Sequence, residues 1–402
     1  MISNNDQSYI YLDNAASTPI YKEVIDEMLP FMLENYGNPS SLHRFGRKAR
    51  QGLLNSRLKI ANSIGANLQE ILFTSGGTES NNLALTGTSK LINKMDPTYN
   101  HIIVSEIEHE SILETVKDIE EQQKFKVSLV PVDNKGIVNE EKFKEMISPK
   151  TYLISIMMVN NEIGTIQPIK NLIQIAKNKN KNIIFHTDAV QAYGKILINV
   201  KDLGVDLLSI SAHKINGPKG VGALYIKKGT NIKPVLVGGG QEKKLRSGTE
   251  NVQSIIGFGK ACEIFQKNFE IDQKGIKKIQ LYTIDTIIKE IPFCRLNGSD
   301  KYRISNNINI SFSGINGEDL LIKLDENGIG SSTGSACSSN KKQKASHVLK
   351  AIGLSHDEIS GSIRFSIGHQ NTIEEINTMI IKLKEIISEL RKIGDFDYRV
   401  TT

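Results

Sequence analysis

Between Glu70 and Ile226 short apolar runs alternate with amphipathic stretches, and no other feature restricts the fold of this chain so strongly. The runs fall near 71–74, 102–105, 127–131, 152–158, 183–187, 206–210 and 221–226. Strand-length runs separated by helix-length segments predict an α/β fold: a mainly parallel seven-stranded sheet with helices on both faces. Ligands collect beyond the carboxyl ends of the strands in such a sheet. Polar residues at those ends therefore carry the argument about function.

After about Ala261 the pattern changes. A long helix is expected from about Ile264 to Ile291, with strands near 306–312 and 363–367. A closing helix from about Ile373 to Ile393 carries Ile376, Met379, Ile380 and Leu383 on one side. This reads as a smaller α+β domain, and 402 residues suffice for two cores. A hydrophobic content of 39% with 23% charged residues is that of a soluble globular protein, and the net charge of +6 is small for the length. No basic stripe interleaves with aromatics, so direct nucleic-acid binding is not expected. No apolar run approaches the roughly 20 residues of a membrane helix. The first residues lack the basic and apolar regions of a signal peptide. Three cysteines, Cys262, Cys294 and Cys337, form no C-x-x-C pair. That argues against a disulfide scaffold and a zinc site, and the expected compartment is cytoplasmic.

Four segments stand out. Residues 206–225 place Ser211, His213 and Lys214 between two apolar runs, followed by Gly217, Pro218, Gly220 and Gly222. A lysine so placed is partly shielded from water, which makes its amine more nucleophilic and able to form a Schiff base with a carbonyl cofactor. One lysine among 50 Lys and Arg is ordinarily a solvated loop residue, but the other segments shift that balance. The run at 183–187 ends in Asp188, with Gln191 just beyond, and a carboxylate there suits the ring nitrogen of a pyridine cofactor. The run at 71–74 leads into Gly76, Gly77 and Thr78 at a helix start, where N–H groups and the helix dipole favour a phosphate. His109 follows the run at 101–105. Taken singly, Gly-Gly before a helix is more often a turn, and a lone histidine more often structural.

Together and in this order the segments resemble the class V aminotransferases, a family of pyridoxal-phosphate (PLP) enzymes. More narrowly, they resemble the cysteine desulfurases of the NifS/IscS type. The resemblance runs from about Tyr9 to about Gly368. Its most specific pieces are Ser-Ala-His-Lys-Ile-Asn-Gly-Pro-Lys-Gly at 211–220, Gly-Gly-Gly-Gln-Glu-x-x-x-Arg-Ser-Gly-Thr-Glu-Asn at 238–251, and Ser-Ser-Thr-Gly-Ser-Ala-Cys-Ser-Ser at 331–339.

The resemblance implies the fold type I architecture of PLP enzymes. A large PLP-binding domain would span 17–261, and a small domain of 1–16 and 262–402 would carry a catalytic cysteine loop. It implies that Lys214 bonds the cofactor and that Gly77, Thr78, Ser211 and His213 hold its phosphate. Asp188 would meet the ring nitrogen, Gln191 the ring hydroxyl, and His109 the ring face. Thr249 would reach the phosphate of a neighbouring subunit, so that the site is complete only in a homodimer. Arg364 would clamp the substrate carboxylate, with Asn161 beside it.

Cys337 sits in small polar residues without periodicity, unlike a packed core thiol. The resemblance makes it the residue that takes sulfur from L-cysteine, leaving L-alanine and a persulfide for an acceptor or scaffold protein. Iron–sulfur cluster assembly, tRNA thiolation and related sulfur trafficking stay open as destinations. No resident metal is implied, and Cys337 is at most a transient ligand to a cluster. Two other readings stand beside this one. Another class V enzyme, such as a selenocysteine lyase or an aminotransferase, would lack the cysteine loop. A non-catalytic scaffold would have lost Lys214 or Asp188. Ser17 stands where the family usually has Thr, and Lys344-Ala345 where it commonly has Glu-Pro; the second departure bears on carrier preference.

Overall fold

The computed structural model describes residues 9–123, 125–333 and 345–394. The chain enters through a two-residue strand, β1 (Ile10–Tyr11). Seven strands follow: β2 (Ile71–Thr74), β3 (His101–Ser105), β4 (Lys126–Val130), β5 (Thr151–Ser155), β6 (Ile184–Asp188), β7 (Leu207–Ser211) and β8 (Gly222–Ile226). They form one sheet in the order β2-β8-β7-β6-β5-β3-β4. Only β8 runs against its neighbours, β2 and β7; the remaining pairs are parallel. The expected sheet is therefore present, and its strands lie within a residue or two of their expected places, except that β5 ends at Ser155.

Alternation along each strand supplies two cores. Phe73, Ile103, Ile154, Phe185 and Ile210 face one layer of helices, while Leu72, Ile102, Val104, Leu153 and Leu207 face the other. His186 is the polar exception in the middle of β6. Its ring nitrogens meet the hydroxyls of Ser155 at 2.7 Å and Ser209 at 2.9 Å. Burial pushes its pKa down to about 3, so it sits in the core as a neutral, satisfied side chain.

A three-stranded antiparallel sheet is built from β9 (Cys294–Leu296), β10 (Asn307–Phe312) and, after the short β11 (Ile329–Gly330), β12 (Ser362–Ser366). Its apolar face packs on the helix Ile373–Ile393 through Ile376, Met379, Ile380 and Leu383. Ile10 and Leu12 join this same core, and β1 pairs in parallel with β11.

One helix, Val252–Glu290, runs past both cores. Ile255, Phe258 and Cys262 pack into the first, and Ile276 and Ile287 into the second. It starts well before the expected Ile264 because its first turns carry glycines that break a simple periodic reading. The glycines are there for close approach. A Cβ on Gly259 would lie 2.7 Å from Ser56 Cβ, so the helix Arg44–Ser63 can pack this closely only against glycine.

The bridges Asp13–Ser366 and Ser332–Arg364 carry the first strand and the segment before residue 334 to the side of Arg364. That placement closes one end of a cleft over the large sheet.

Candidate active site

The cleft has a volume of ≈ 370 Å³ and lies at the carboxyl ends of the central strands. Lys214, Asp188, His109 and Arg364 all line it, as do Gly77, Thr78, Asn161, Gln191 and His213. Segments distant in sequence thus converge on one wall-lined space.

Lys214 ends a single helical turn, Ala212–Lys214, that follows β7 directly. Its Nζ donates to the carbonyls of Ala15 at 2.5 Å and Ala16 at 2.8 Å. The N-terminal segment therefore aims the amine into the cleft. His213 beside it is held neutral: burial, reinforced by Lys214, Lys195 and Lys219, lowers its pKa to about 4. A neutral imidazole can donate one N–H to an anion without adding charge. Lys195, behind Lys214, is pushed down to about 7 by burial and then by Lys214 itself.

Asp188 ends β6 and is 6% exposed. One carboxylate oxygen accepts the Val190 N–H at 2.9 Å, and the other accepts from Asn81 Nδ2 at 2.7 Å. Gly77 opens the 19-residue helix Gly77–Met95, whose preceding residue Gly76 supplies no side-chain cap. The first-turn N–H groups are thereby left for an anion. A Cβ on Gly77 would come within 2.7 Å of Val190 Cγ2, so the helix start approaches the Asp188 segment because it is glycine. Glu79 would repel an anion there, but Arg246 pairs with it at 2.9 Å.

Arg364 is 4% exposed, in the middle of β12. It donates to the Asn161 carbonyl at 2.9 Å and pairs with Asp13 at 2.8 Å. Its Nε is buried without a hydrogen-bond partner among the described residues. Arg364 lines the cleft, and its guanidinium is the kind of cation that suits a carboxylate. Beneath His109, Glu108 is fully buried and accepts from the Ser105 hydroxyl and the Met157 N–H. Burial above all, with the charge of Asp188 adding to it, pushes its pKa up to about 8.

Not every expected residue reaches the cleft. Ser211 is buried at the end of β7 opposite Gly222 and does not line it. Gln191 lines it, but its Nε2 is engaged by the Ala15 carbonyl at 2.9 Å. Thr249, expected to serve a neighbouring subunit and not this cleft, lines a separate cavity with Phe31, Met32 and Tyr36. Cys337 lies outside the described residues. Conversely, Asp13, Asn81 and Ser111 act in or beside the cleft and were not singled out from the sequence. The signal for Asn81 was its place in the first turns of the helix after Gly76-Gly77; for Asp13 there was none beyond its strand-end position. Among the described residues no cluster of His, Cys, Asp and Glu could hold a metal ion. No helix among them is long and apolar enough to cross a membrane.

The family model for class-V aminotransferases matches residues 10–379, which takes in every strand and the whole cleft. The chain belongs to the class-V aminotransferase family. Among curated members it is 48% identical to the cysteine desulfurase IscS of Dictyoglomus turgidum, over 96% of each chain. It is 46% identical to the IscS of Methanosarcina thermophila, over 97% of this chain and 95% of that one. A solved structure described as a NifS-like protein superposes with a TM-score of 0.89 at 38% identity, covering 95% of this chain and all of the other. The cleft fits the cofactor of this family: an amine, a carboxylate, an uncapped helix start and a guanidinium line one space.

Proposed function

We propose that the protein is a PLP-dependent cysteine desulfurase in which Cys337 receives the sulfur. The observation that carries the reading is the convergence of Lys214, Asp188, His109 and Arg364 on one cleft, in a chain with IscS-type relatives along nearly its whole length. Lys214 would hold the cofactor carbonyl, Asp188 its ring nitrogen, Gln191 its ring hydroxyl and His109 its ring face. Gly77, Thr78, Ser211 and His213 would hold the phosphate. When bound, PLP supplies the electron sink that loosens bonds at the substrate's α- and β-carbons.

Arg364, already oriented by Asp13 and the Asn161 carbonyl, would take the carboxylate of L-cysteine, with Asn161 alongside. Lys214 would accept and return the α-proton. The Cys337 thiolate would attack the substrate sulfur. The Cβ–S bond breaks with its electron pair on carbon, that carbon takes a proton, and alanine leaves while the persulfide stays on Cys337. Support for Cys337 comes from the other two thiols. Burial pushes both Cys262 and Cys294 up to about 11, which leaves little thiolate at neutral pH.

We also propose a cytoplasmic homodimer in which Thr249 completes the partner's phosphate site, with 17–261 as the large domain and 1–16 plus 262–402 as the small one. Ile25, Leu29, Met32 and Leu33 on the helix Lys22–Leu33 are exposed, and so are Tyr36, Leu42 and Val237. Exposed apolar side chains on this helix and the loop after it support a covered face, and Thr249 shares a cavity with Met32 and Tyr36.

The deciding experiment is Cys337→Ser. It should keep the PLP colour and the spectral response to cysteine, yet form neither alanine nor persulfide. Cys262→Ser and Cys294→Ser should stay active. Alanine release by Cys337→Ser at the wild-type rate would turn the reading to a lyase that expels the chalcogen directly.

A further inference from the structure

Asn81 sits on the helix Gly77–Met95, 1% exposed, and its side-chain nitrogen donates twice: to Asp188 Oδ2 at 2.7 Å and to Ser111 Oγ at 2.9 Å. A carboxylate only accepts, so the amide nitrogen, and not its oxygen, must face Asp188. Ser111 Oγ is then the acceptor in its contact with Asn81, and its own O–H is left for His109 Nδ1 at 2.9 Å. The Ser111 backbone N–H reaches the same nitrogen at 3.1 Å. A ring nitrogen with two donors aimed at it carries no proton, which leaves the proton of the neutral imidazole on Nε2. The amide oxygen Asn81 Oδ1 is buried with no partner among the described residues. Hydrogen-bond satisfaction therefore does not explain the position of Asn81, because half of its capacity is wasted there.

We propose that Asn81 and Ser111 are positioning residues that fix the His109 proton on Nε2 and grip Asp188 through the same amide group. The two ring-contacting groups, His109 and Asp188, are then oriented as one unit, although they lie 28 and 107 residues from Asn81 along the chain. This rests on the roles proposed above for His109 and Asp188. Its consequence is that the histidine lining the cleft offers an N–H, not a lone pair, at Nε2, and that the Asp188 carboxylate is held on both oxygens by neutral donors.

The test is the tautomer of His109, read by long-range ¹H–¹⁵N correlation on the full-length, ¹⁵N-histidine-labelled protein with and without PLP. His109→Gln assigns the resonances. In the wild type Nδ1 should appear as an unprotonated and Nε2 as a protonated nitrogen in both forms. Asn81→Leu keeps the volume and removes both donors, freeing the Ser111 hydroxyl to accept from the ring. The Nδ1–H tautomer should then rise at least ~10-fold in population. If that variant does not fold, Ser111→Ala serves: the Nδ1 resonance should move, and Ser111→Thr should restore it. A wild-type proton on Nδ1 overturns the proposal, as does an unchanged tautomer in a folded Asn81→Leu variant. Failure of the underlying role of His109 shows differently, as no change in its resonances when PLP is added.

Discussion

The two walls of the cleft hold their polar groups in different ways. On the cofactor side the contacts seen among the described residues are with neutral groups. Lys214 meets two backbone carbonyls, Asp188 a backbone N–H and the Asn81 amide, and His109 the Ser111 hydroxyl and N–H. On the opposite wall Arg364 is held by a charge, Asp13, as well as by the Asn161 carbonyl. Neutral partners orient a charged group without cancelling its field, so the group keeps its full effect on whatever binds. A charged partner orients and also neutralises, so the Arg364–Asp13 pair contributes geometry more than net attraction. The cofactor wall is thus suited to shifting electrons in a ligand, and the other wall to placing a carboxylate.

The sharpest way to break this comparison is Asp188→Asn, which removes the charge and nearly preserves the shape. The variant should still bind PLP, while kcat for alanine formation falls by ~10²–10³. Unchanged turnover would mean that the field of this wall does not matter.

Asp13→Asn asks the same of the other wall and should act more mildly. Arg364 would lose its charged support but keep the Asn161 carbonyl. KM for cysteine should rise ~10-fold with kcat nearly unchanged, and stability should drop by roughly 2 kcal/mol because a buried guanidinium loses its counter-charge. A fall in kcat without a change in KM would place Asp13 on the chemical side instead.

The smallest effect on activity is expected from Glu108→Gln, under the cofactor wall. Burial raises the folded-state pKa of Glu108 from 4.5 to about 8. Such a group contributes its full stability below pH 4.5, where it is protonated in both states, and loses it as pH rises towards 8. Glutamine mimics the protonated form and still accepts from Ser105 and Met157. Urea melts should therefore show equal stability at pH 4.5 and a variant more stable by a few kcal/mol at pH 9. Equal stability at both pH values would show that Glu108 ionises as freely folded as unfolded.

Much of this molecule is local. The strands β2 to β8 can be read from apolar runs, because a buried strand must be apolar over its own length whatever it packs against. Lys214, Asp188 and the Gly76-Gly77-Thr78 turn stand out for a related reason: each sits where a strand ends, and the end is marked by the residues beside it. The start of the helix Val252–Glu290 was not legible, since its glycines answer to Met28 and Ser56 on other helices.

What only the tertiary structure decided is which side chains meet. Asp13 and Arg364 are 351 residues apart, and they pair because β1 joins β11 while Asp13 bridges to the end of β12. Asn81 reaches both Asp188 and Ser111 because the end of β6 and the helix starts after β2 and β3 meet at the carboxyl ends of the strands. Ser211 carries the right residue type yet lies off the cleft, at the buried end of β7. Local pattern sets where a strand begins and ends. Strand order, which no local pattern contains, sets which ends become neighbours.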